Sequence, residues 1–325
     1  MIYNIDQKDK QLLAVLLENS RTPLGIMAKE VGLSKNAILY RIRKLKERGI
    51  IWKFFAPVEY KKLDIYQYHV FIKLRASAER EKEIKEYFKN HPNVVWAGSI
   101  FGRWDLFVQF LVKKPAEFEN ILDDVLTFLG DSLESYDSKT LMENIKLDHQ
   151  IFTRKKSYKK IHKEIPTENI YILDDIDKKI LHHLNTVDGL ANYQELGKAS
   201  GSSMETARNH FRRLVHDGII RTFFPFVVHK KLGLIQYFVQ MNFRYMTKKI
   251  EAEIVNYIKS THDIHLAFKV IGRPEIYFWY ATDKQENAEA LVRDIKNKFF
   301  RVLTDIEPMI TTEEFTLNFF PKGLL

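Results

Sequence analysis

Apolar positions along the chain follow two rhythms in turn. Between Ile5 and Ile51 they recur at helical spacing. Leu12, Leu13, Leu16 and Leu17 mark one face of a first helix, with Asp6 as its N-cap and Asp9 in its first turn, where the helix dipole favours a carboxylate. Pro23 begins a short second helix with Ile26, Met27 and Val31 facing inward, and Gly32 permits the sharp turn after it. Ser34 caps a third helix whose Ile38, Ile42 and Leu45 stand at i, i+4 and i+7. Gly49 ends that helix, and Ile50-Ile51-Trp52-Lys53-Phe54-Phe55 reads as a strand suited to a wing. Three helices with a glycine turn before the third, then a strand, predict a winged helix-turn-helix.

The rhythm then changes. Tyr66 to Leu74 reads as a strand, and Glu79 to His91 as a charged amphipathic helix. Val94 to Phe101 and Asp105 to Val112 form two strands across Gly102-Arg103-Trp104; Pro115 to Leu129 is a helix, and Leu133 to Leu147 a last strand. The order βαββαβ predicts a ferredoxin-like domain with both helices on one sheet face.

Both rhythms then recur. Ile5-Asp6 reappears as Leu173-Asp174, Val31-Gly32-Leu33-Ser34 as Ser200-Gly201-Ser202-Ser203, and Gly49 to Ile51 as Gly218 to Ile220. The offset drifts from 168 to 169 residues, which marks one inserted residue. A second sheet pattern follows: Ile235 to Phe243, Lys248 to Ser260, Ile264 to Ile271, Glu275 to Ala281, Lys284 to Phe300 and Val302 to Leu317. The fold class expected is therefore α+β, two tandem units of a winged helix-turn-helix followed by a ferredoxin-like βαββαβ domain. The boundaries read as 1–62 and 63–150 for the first unit, a basic linker at 151–170, then 171–231 and 232–325. A ferredoxin-like sheet leaves one face bare, so the two sheets of one chain are expected to pair as an intramolecular pseudo-dimer.

Charge adds a direction to this picture. The chain holds 51 Lys+Arg against 42 Asp+Glu, with pI near 9.3, which favours an anionic partner. Residues 1–60 hold 11 basic and 6 acidic residues, net +5, whereas 171–229 hold 7 of each. Lys146 to Lys163 adds 7 basic residues with only Asp148 opposing them, and reads as an extended linker rather than a DNA arm. The absence of cysteine excludes disulfides, thiolate metal sites and a cysteine nucleophile. The first residues show no signal-peptide pattern, and no apolar stretch approaches the roughly 18 residues of a membrane span, so the expected setting is the cytoplasm, without membrane attachment.

The third helix is the expected recognition helix for double-stranded DNA. Asn36 and Arg41 are the side chains best suited to base edges; Lys35, Tyr40, Arg43 and Lys44 suit the phosphate backbone. In the second copy Met204, Glu205, Asn209 and His210 replace Lys35, Asn36, Tyr40 and Arg41, while Arg208, Arg212 and Arg213 remain as candidate contacts. Weaker or altered DNA contact is expected there.

The chain resembles the leucine-responsive/asparagine-regulator (Lrp/AsnC) family of transcription factors. The resemblance rests on Asp6-x-x-Asp9, Val31-Gly32-Leu33-Ser34, Arg41-Ile42-Arg43-Lys44-Leu45, Gly49-Ile50-Ile51, Lys62-Leu63 and Gly102-x-x-Asp105, and covers the chain twice over. It implies a sequence-specific DNA-binding regulator whose sheet domains serve assembly and sense a small effector, commonly an amino acid. Members of the family are usually single units that assemble through the sheet, so further homo-oligomers are implied, although this chain carries both units itself. The resemblance places the effector at Gly102, Arg103 and Asp105. A glycine amide and Arg103 suit a carboxylate and Asp105 suits an ammonium, but a tight hairpin needs the same glycine and aspartate without any ligand. In the second hairpin Pro274 removes an amide and Glu275 lengthens the acid, so a different ligand, or none, is expected.

An enzyme is the rival reading. The chain is also similar in architecture to siroheme decarboxylases, in which histidine and arginine near the second strand of the sheet domain serve the tetrapyrrole. The first unit offers no histidine between Val94 and Ser99; the second offers His265 and Arg273. Neither His182-His183 nor His262-x-x-His265 brings an evident third ligand, and no phosphate loop, serine elbow or paired-carboxylate motif appears. No metal, cofactor or enzymatic activity is expected. A scaffold that binds only protein fits the neutral second unit but not the basic first.

Overall fold

The computed structural model describes residues 2–147, 170–273 and 275–325. The basic core of the linker, Arg154 to Lys160, and Pro274 lie outside the described residues. The first unit runs α1 (Gln7–Asn19), α2 (Leu24–Val31), α3 (Lys35–Glu47), β1 (Ile51–Phe55), β2 (Tyr66–Leu74), α4 (Ala78–Asn90), β3 (Val94–Phe101), β4 (Leu106–Val112), α5 (Pro115–Leu129) and β5 (Leu133–Leu147). The second runs α6 (Asp175–Thr186), α7 (Tyr193–Ser200), α8 (Met204–His216), β6 (Phe224–Val227), β7 (Ile235–Phe243), α9 (Lys248–Ser260), β8 (Ile264–Ile271), β9 (Ile276–Thr282), α10 (Gln285–Phe299) and β10 (Leu303–Leu317).

Local chemistry explains the helix ends. Asp6 accepts the Asp9 amide at the start of α1, and Ser34 accepts the Ala37 amide at the start of α3. Gly32 closes α2 at φ 68°, and Gly201 closes α7 at φ 69°, in the left-handed region that glycine enters without steric cost.

The two sheets close on each other as an eight-stranded barrel in the order β10-β3-β4-β2-β5-β8-β9-β7. The 15-residue strands β5 and β10 make closure possible. The first half of β5 pairs with β2 of its own unit (Tyr68↔Thr140), and its second half pairs with β8 of the other (Leu147↔Leu266). Strand β10 does the same with β7 and then β3. Closure leaves no unpaired sheet edge. Aromatic side chains fill the interior: Phe71 stacks on Phe107 at 4.6 Å, and Phe238 and Trp279 lie 4.6 Å apart between ring centroids. Helices α4 and α5 cover one outer face, and α9 and α10 the other.

The two helix-turn-helix modules also pair. The strand expected as a wing has its partner in the other unit. β1 runs antiparallel to β6, with Ile51↔Val227 and Phe55↔Phe224, so each module completes the other's sheet instead of folding a hairpin of its own. Asn185, fully buried, clamps the junction. Its Oδ1 accepts the Ala56 amide at 3.1 Å, and its Nδ2 donates to the Ala56 carbonyl at 3.0 Å. Arg21 donates to the Gly189 and Ala191 carbonyls at 3.1 and 2.7 Å while its guanidinium sits against the Phe211 and Phe223 rings. The pseudo-dimer therefore extends through both layers. No described helix is long and apolar enough to cross a membrane.

Candidate nucleic-acid interface and ligand hairpins

Helix α3 buries Ile38 and Leu45 and turns Lys35, Asn36, Leu39, Tyr40 and Arg43 outward. Arg41 does not join them. Its Nη1 donates to Asp6 at 2.8 Å and to Asp9 at 2.7 Å, which ties α3 to the N-terminus of α1. Arg41 flanks the buried stripe and is held by the N-cap carboxylate Asp6 and the first-turn carboxylate Asp9 of α1. Lys44 bonds Glu47 at 2.8 Å, and Arg43 lies 3.8 Å from the same carboxylate. Both are loose surface pairs that phosphate can displace.

Helix α8 repeats the design with different residues. The buried Asp177 matches Asp9 and lies 2.8 Å from His210 Nδ1 and 2.9 Å from Arg213 Nη2, with Asp174 beside it. His210 and Arg213 thus make the internal tie that Arg41 makes in the first unit, and the Arg213 side chain, 46% exposed, is held by Asp174 and Asp177. Three metal-ligating groups meet here, Asp174, Asp177 and His210, but the Arg213 guanidinium already supplies the positive charge. Arg212 points outward, and Arg208 pairs with Glu205 at 2.6 Å.

The two hairpins of the barrel differ more than their sequences suggest. Gly102 (φ 148°) packs against Met309 of the other unit so closely that a Cβ would lie 2.6 Å from its side chain. Asp105 turns inward, accepting Leu74 N at 2.7 Å and Lys73 Nζ at 3.0 Å. Arg103 lies 3.7 Å from Glu307 and over the Trp104 ring. The first hairpin is therefore closed by its own domain and by the neighbouring strand, and the Asp105 carboxylate is already paired. In the second unit Asn242 occupies the register position of Lys73, so Glu275 lacks that lysine; the Phe243 amide, the counterpart of Leu74, bonds its carboxylate, and Arg273 and Lys269 supply the nearby positive charge. Glu275 Oε2 and Asn242 Oδ1 have no hydrogen-bond partner among the described residues, and burial pushes the Glu275 carboxyl above its usual range. An open cleft lies there, lined by Met246, Glu251, Lys269, Gly272, Arg273 and Glu275.

A profile of the AsnC-type helix-turn-helix domain matches residues 5–46, and one of the Lrp/AsnC ligand binding domain matches residues 69–151. The HTH-type transcriptional regulator FL11 of Pyrococcus horikoshii is 31% identical over 119 residues, 37% of this chain and 78% of that protein. The chain belongs to the Lrp/AsnC family. A second relative, regulatory protein AsnC of Haemophilus influenzae, is 30% identical over 145 residues, 44% of this chain and 95% of its own length. These Lrp/AsnC relatives correspond to single units, and this chain is about twice their length. A solved structure, the siroheme decarboxylase NirDL, matches in fold over 98% of this chain and 96% of its own, with TM-score 0.62 and 16% identity. That likeness is one of fold alone.

Several residues that shape these sites escaped the sequence reading. Leu39 lies outside the i, i+4, i+7 stripe yet is half exposed, and its place on the recognition face was the available signal. Asn185 stands at the repeat position of the buried Leu17, a polar residue where the first copy has a core leucine. His69 lies wholly inside the barrel, its Nδ1 meeting the Tyr277 hydroxyl and its Nε2 2.9 Å from Gln67 Nε2; burial lowers its pKa to about 3. His265, by contrast, was a candidate from the sequence; it is buried on β8 with its ring 5.1 Å from that of His229.

Proposed function

We propose that this member of the Lrp/AsnC family is a sequence-specific DNA-binding transcriptional regulator of the cytoplasm, whose single chain supplies both halves of the usual dimer and whose barrel senses a small molecule. The observation that carries the reading is the outward face of α3, where Lys35, Asn36, Leu39, Tyr40 and Arg43 stand free of the core on a helix of the right kind for a major groove. Lys35, Arg43 and Lys44 serve phosphate; Asn36 serves a base edge; Arg208 and Arg212 serve the second half. The basic first module draws the duplex, and the β1–β6 ladder fixes the second module relative to it.

The effector fits the second hairpin better than the first. Asp105 spends its carboxylate on Lys73 and Leu74, so Gly102, Arg103 and Asp105 act there as a structural closure. In the open cleft Glu275 suits an ammonium and Arg273 suits a carboxylate, the donor set of a zwitterion such as an amino acid, with Lys269 beside them in a pair with Glu251 that a ligand carboxylate would have to share. Further assembly of whole chains belongs to the same reading, and sedimentation of the purified protein with and without ligand tests it.

A binding titration against genomic fragments at several salt concentrations tests the DNA reading, and a thermal-shift screen of free amino acids tests the effector. A ligand that raises the melting temperature of the wild type but not of Glu275→Gln supports the second hairpin. The same loss from Asp105→Ala alone would return the site to the first. The enzyme reading retains one supporting observation, the full-length fold likeness to a siroheme decarboxylase combined with buried His265. Mixing the protein with an iron tetrapyrrole and recording the visible spectrum separates the two: a bound, shifted spectrum with no DNA affinity would favour the enzyme.

A further inference from the structure

The two recognition helices are built in strict register. Each has 13 residues, each follows a left-handed glycine, and each begins at a serine whose hydroxyl accepts the amide three residues on, Ser34 from Ala37 and Ser203 from Thr206. Position n of α3 therefore corresponds to n + 169 of α8, and the outward faces can be compared residue by residue. Arg43 and Arg212 are shared at the ninth position, in keeping with a phosphate contact that carries no sequence information. The outward faces differ at the first, second, fifth and sixth positions (Lys35/Met204, Asn36/Glu205, Leu39/Arg208 and Tyr40/Asn209); of these the second and fifth lie on one face of the helix within its first turn and a half and carry the groups best suited to base edges. There α3 has Asn36 and Leu39, and α8 has Glu205 and Arg208.

These two pairs suit different bases. A carboxamide matches the N6/N7 edge of adenine, and an exposed aliphatic group matches the thymine methyl. Leu39 is 50% exposed on a helix whose buried face is already complete, and contact with a methyl group gives it a use. A carboxylate accepts from cytosine N4, and a guanidinium forks onto guanine O6 and N7. Glu205 and Arg208 are already joined at 2.6 Å, one turn apart, so the acceptor and the fork are presented together. The β1–β6 ladder and the Asn185 clamp hold the two helices in one molecule, so the chain cannot exchange one half for a second copy of the other without breaking that junction.

We infer that the chain reads a non-palindromic operator, with A·T pairs under Asn36 and Leu39 in one half-site and G·C pairs under Glu205 and Arg208 at the mirror positions of the other. The inference rests on the DNA-binding reading above and adds its specificity. It gives the second module, whose charge balance is neutral, a base-reading role with little share in non-specific affinity, and it fixes the orientation of the protein on its site.

The test uses the full-length protein. Selection from a random duplex library should enrich a non-palindromic motif with the stated contrast between its halves. Two symmetrised duplexes, one repeating the A·T half and one the G·C half, should each bind more weakly than the selected site by roughly five- to hundredfold, the range expected for the loss of a base-specific pair. The double variant Glu205→Asn, Arg208→Leu changes two outward side chains and should move preference to the A·T-symmetrised duplex. A palindromic motif selected by the wild type, or an unchanged ranking of the three duplexes by the variant, would overturn the inference while leaving DNA binding intact. No enrichment over random DNA at low salt would overturn the regulator reading itself, and the inference with it.

Discussion

Replacement of Asn185 by alanine probes the junction on which the proposed two-site DNA recognition would depend. The side chain makes three hydrogen bonds: from the Ala56 amide at 3.1 Å, to the Ala56 carbonyl at 3.0 Å, and to the Leu181 carbonyl at 2.9 Å. Leu181 lies within α6 and its carbonyl keeps a helical partner, so that loss is small. Ala56 is different. It lies just beyond the end of β1 and is fully buried, so alanine at 185 strands one donor and one acceptor away from water. Each stranded backbone group costs about 1–3 kcal/mol, and the two together about 2–6 kcal/mol. Water entering the vacated space offsets part of this, which leaves a working value of about 3 kcal/mol. Urea unfolding followed by tryptophan fluorescence is the assay, since Trp52 lies in the ladder with its ring 5.5 Å from Phe226. DNA affinity should fall in parallel, because the second module loses its fixed relation to the first. A loss of stability under about 1 kcal/mol would refute the argument, showing that Ala56 finds other partners and that the clamp does not hold the modules together.

Arg41→Ala should destabilise the first module by about 1–3 kcal/mol, the range for charge-assisted hydrogen bonds, because Asp9 is nearly buried and loses its partner; a normal melting temperature with lost DNA affinity would restore Arg41 to the DNA face. Arg43→Ala should leave stability unchanged and reduce the slope of log affinity against log salt by about 0.9, as measured by titration at several salt concentrations. His69 supplies a pH dependence. Its folded-state pKa is about 3 against an ordinary 6.5, so its contribution is full above pH 6.5 and is lost as pH falls through the interval down to 3. The unfolded chain takes up a proton that the fold refuses, which weakens the fold by about 1.4 kcal/mol per pH unit. His69→Gln should flatten the urea midpoint between pH 6 and pH 4 relative to wild type, and an unchanged profile would show that the imidazole is protonated in place.

The chain's repeat, its helices and most strand positions were legible because they rest on neighbours in sequence. The 3.6 and 2 periods, the Asp6 and Ser34 caps and the turns at Gly32 and Gly201 each involve residues a few positions apart, and the physical chemistry that sets them acts at that range. The exposed face of α3 was legible for the same reason: once the buried stripe is known, the rest of the helix faces outward. The expectation that the sheets pair within the chain also followed locally, from a sheet with helices on only one side.

Tertiary structure alone decided the rest. A strand pattern does not name its partner, so β1 read as a wing although its ladder lies with β6, more than 160 residues away, and nothing in β5 or β10 announces that each divides between two neighbours. Charge behaves similarly. Arg41 and Arg43 are both basic residues on one helix, and only the approach of Asp6 and Asp9 on α1 turns the first inward. Asp105 and Glu275 occupy corresponding hairpins, yet Lys73 pairs with the first, whereas Asn242 stands at that position in the second and Glu275 Oε2 has no hydrogen-bond partner among the described residues. In each case the deciding interaction joins segments distant in sequence. Its energy depends on which groups the fold brings within a few ångströms and removes from water, and local periodicity carries no record of that.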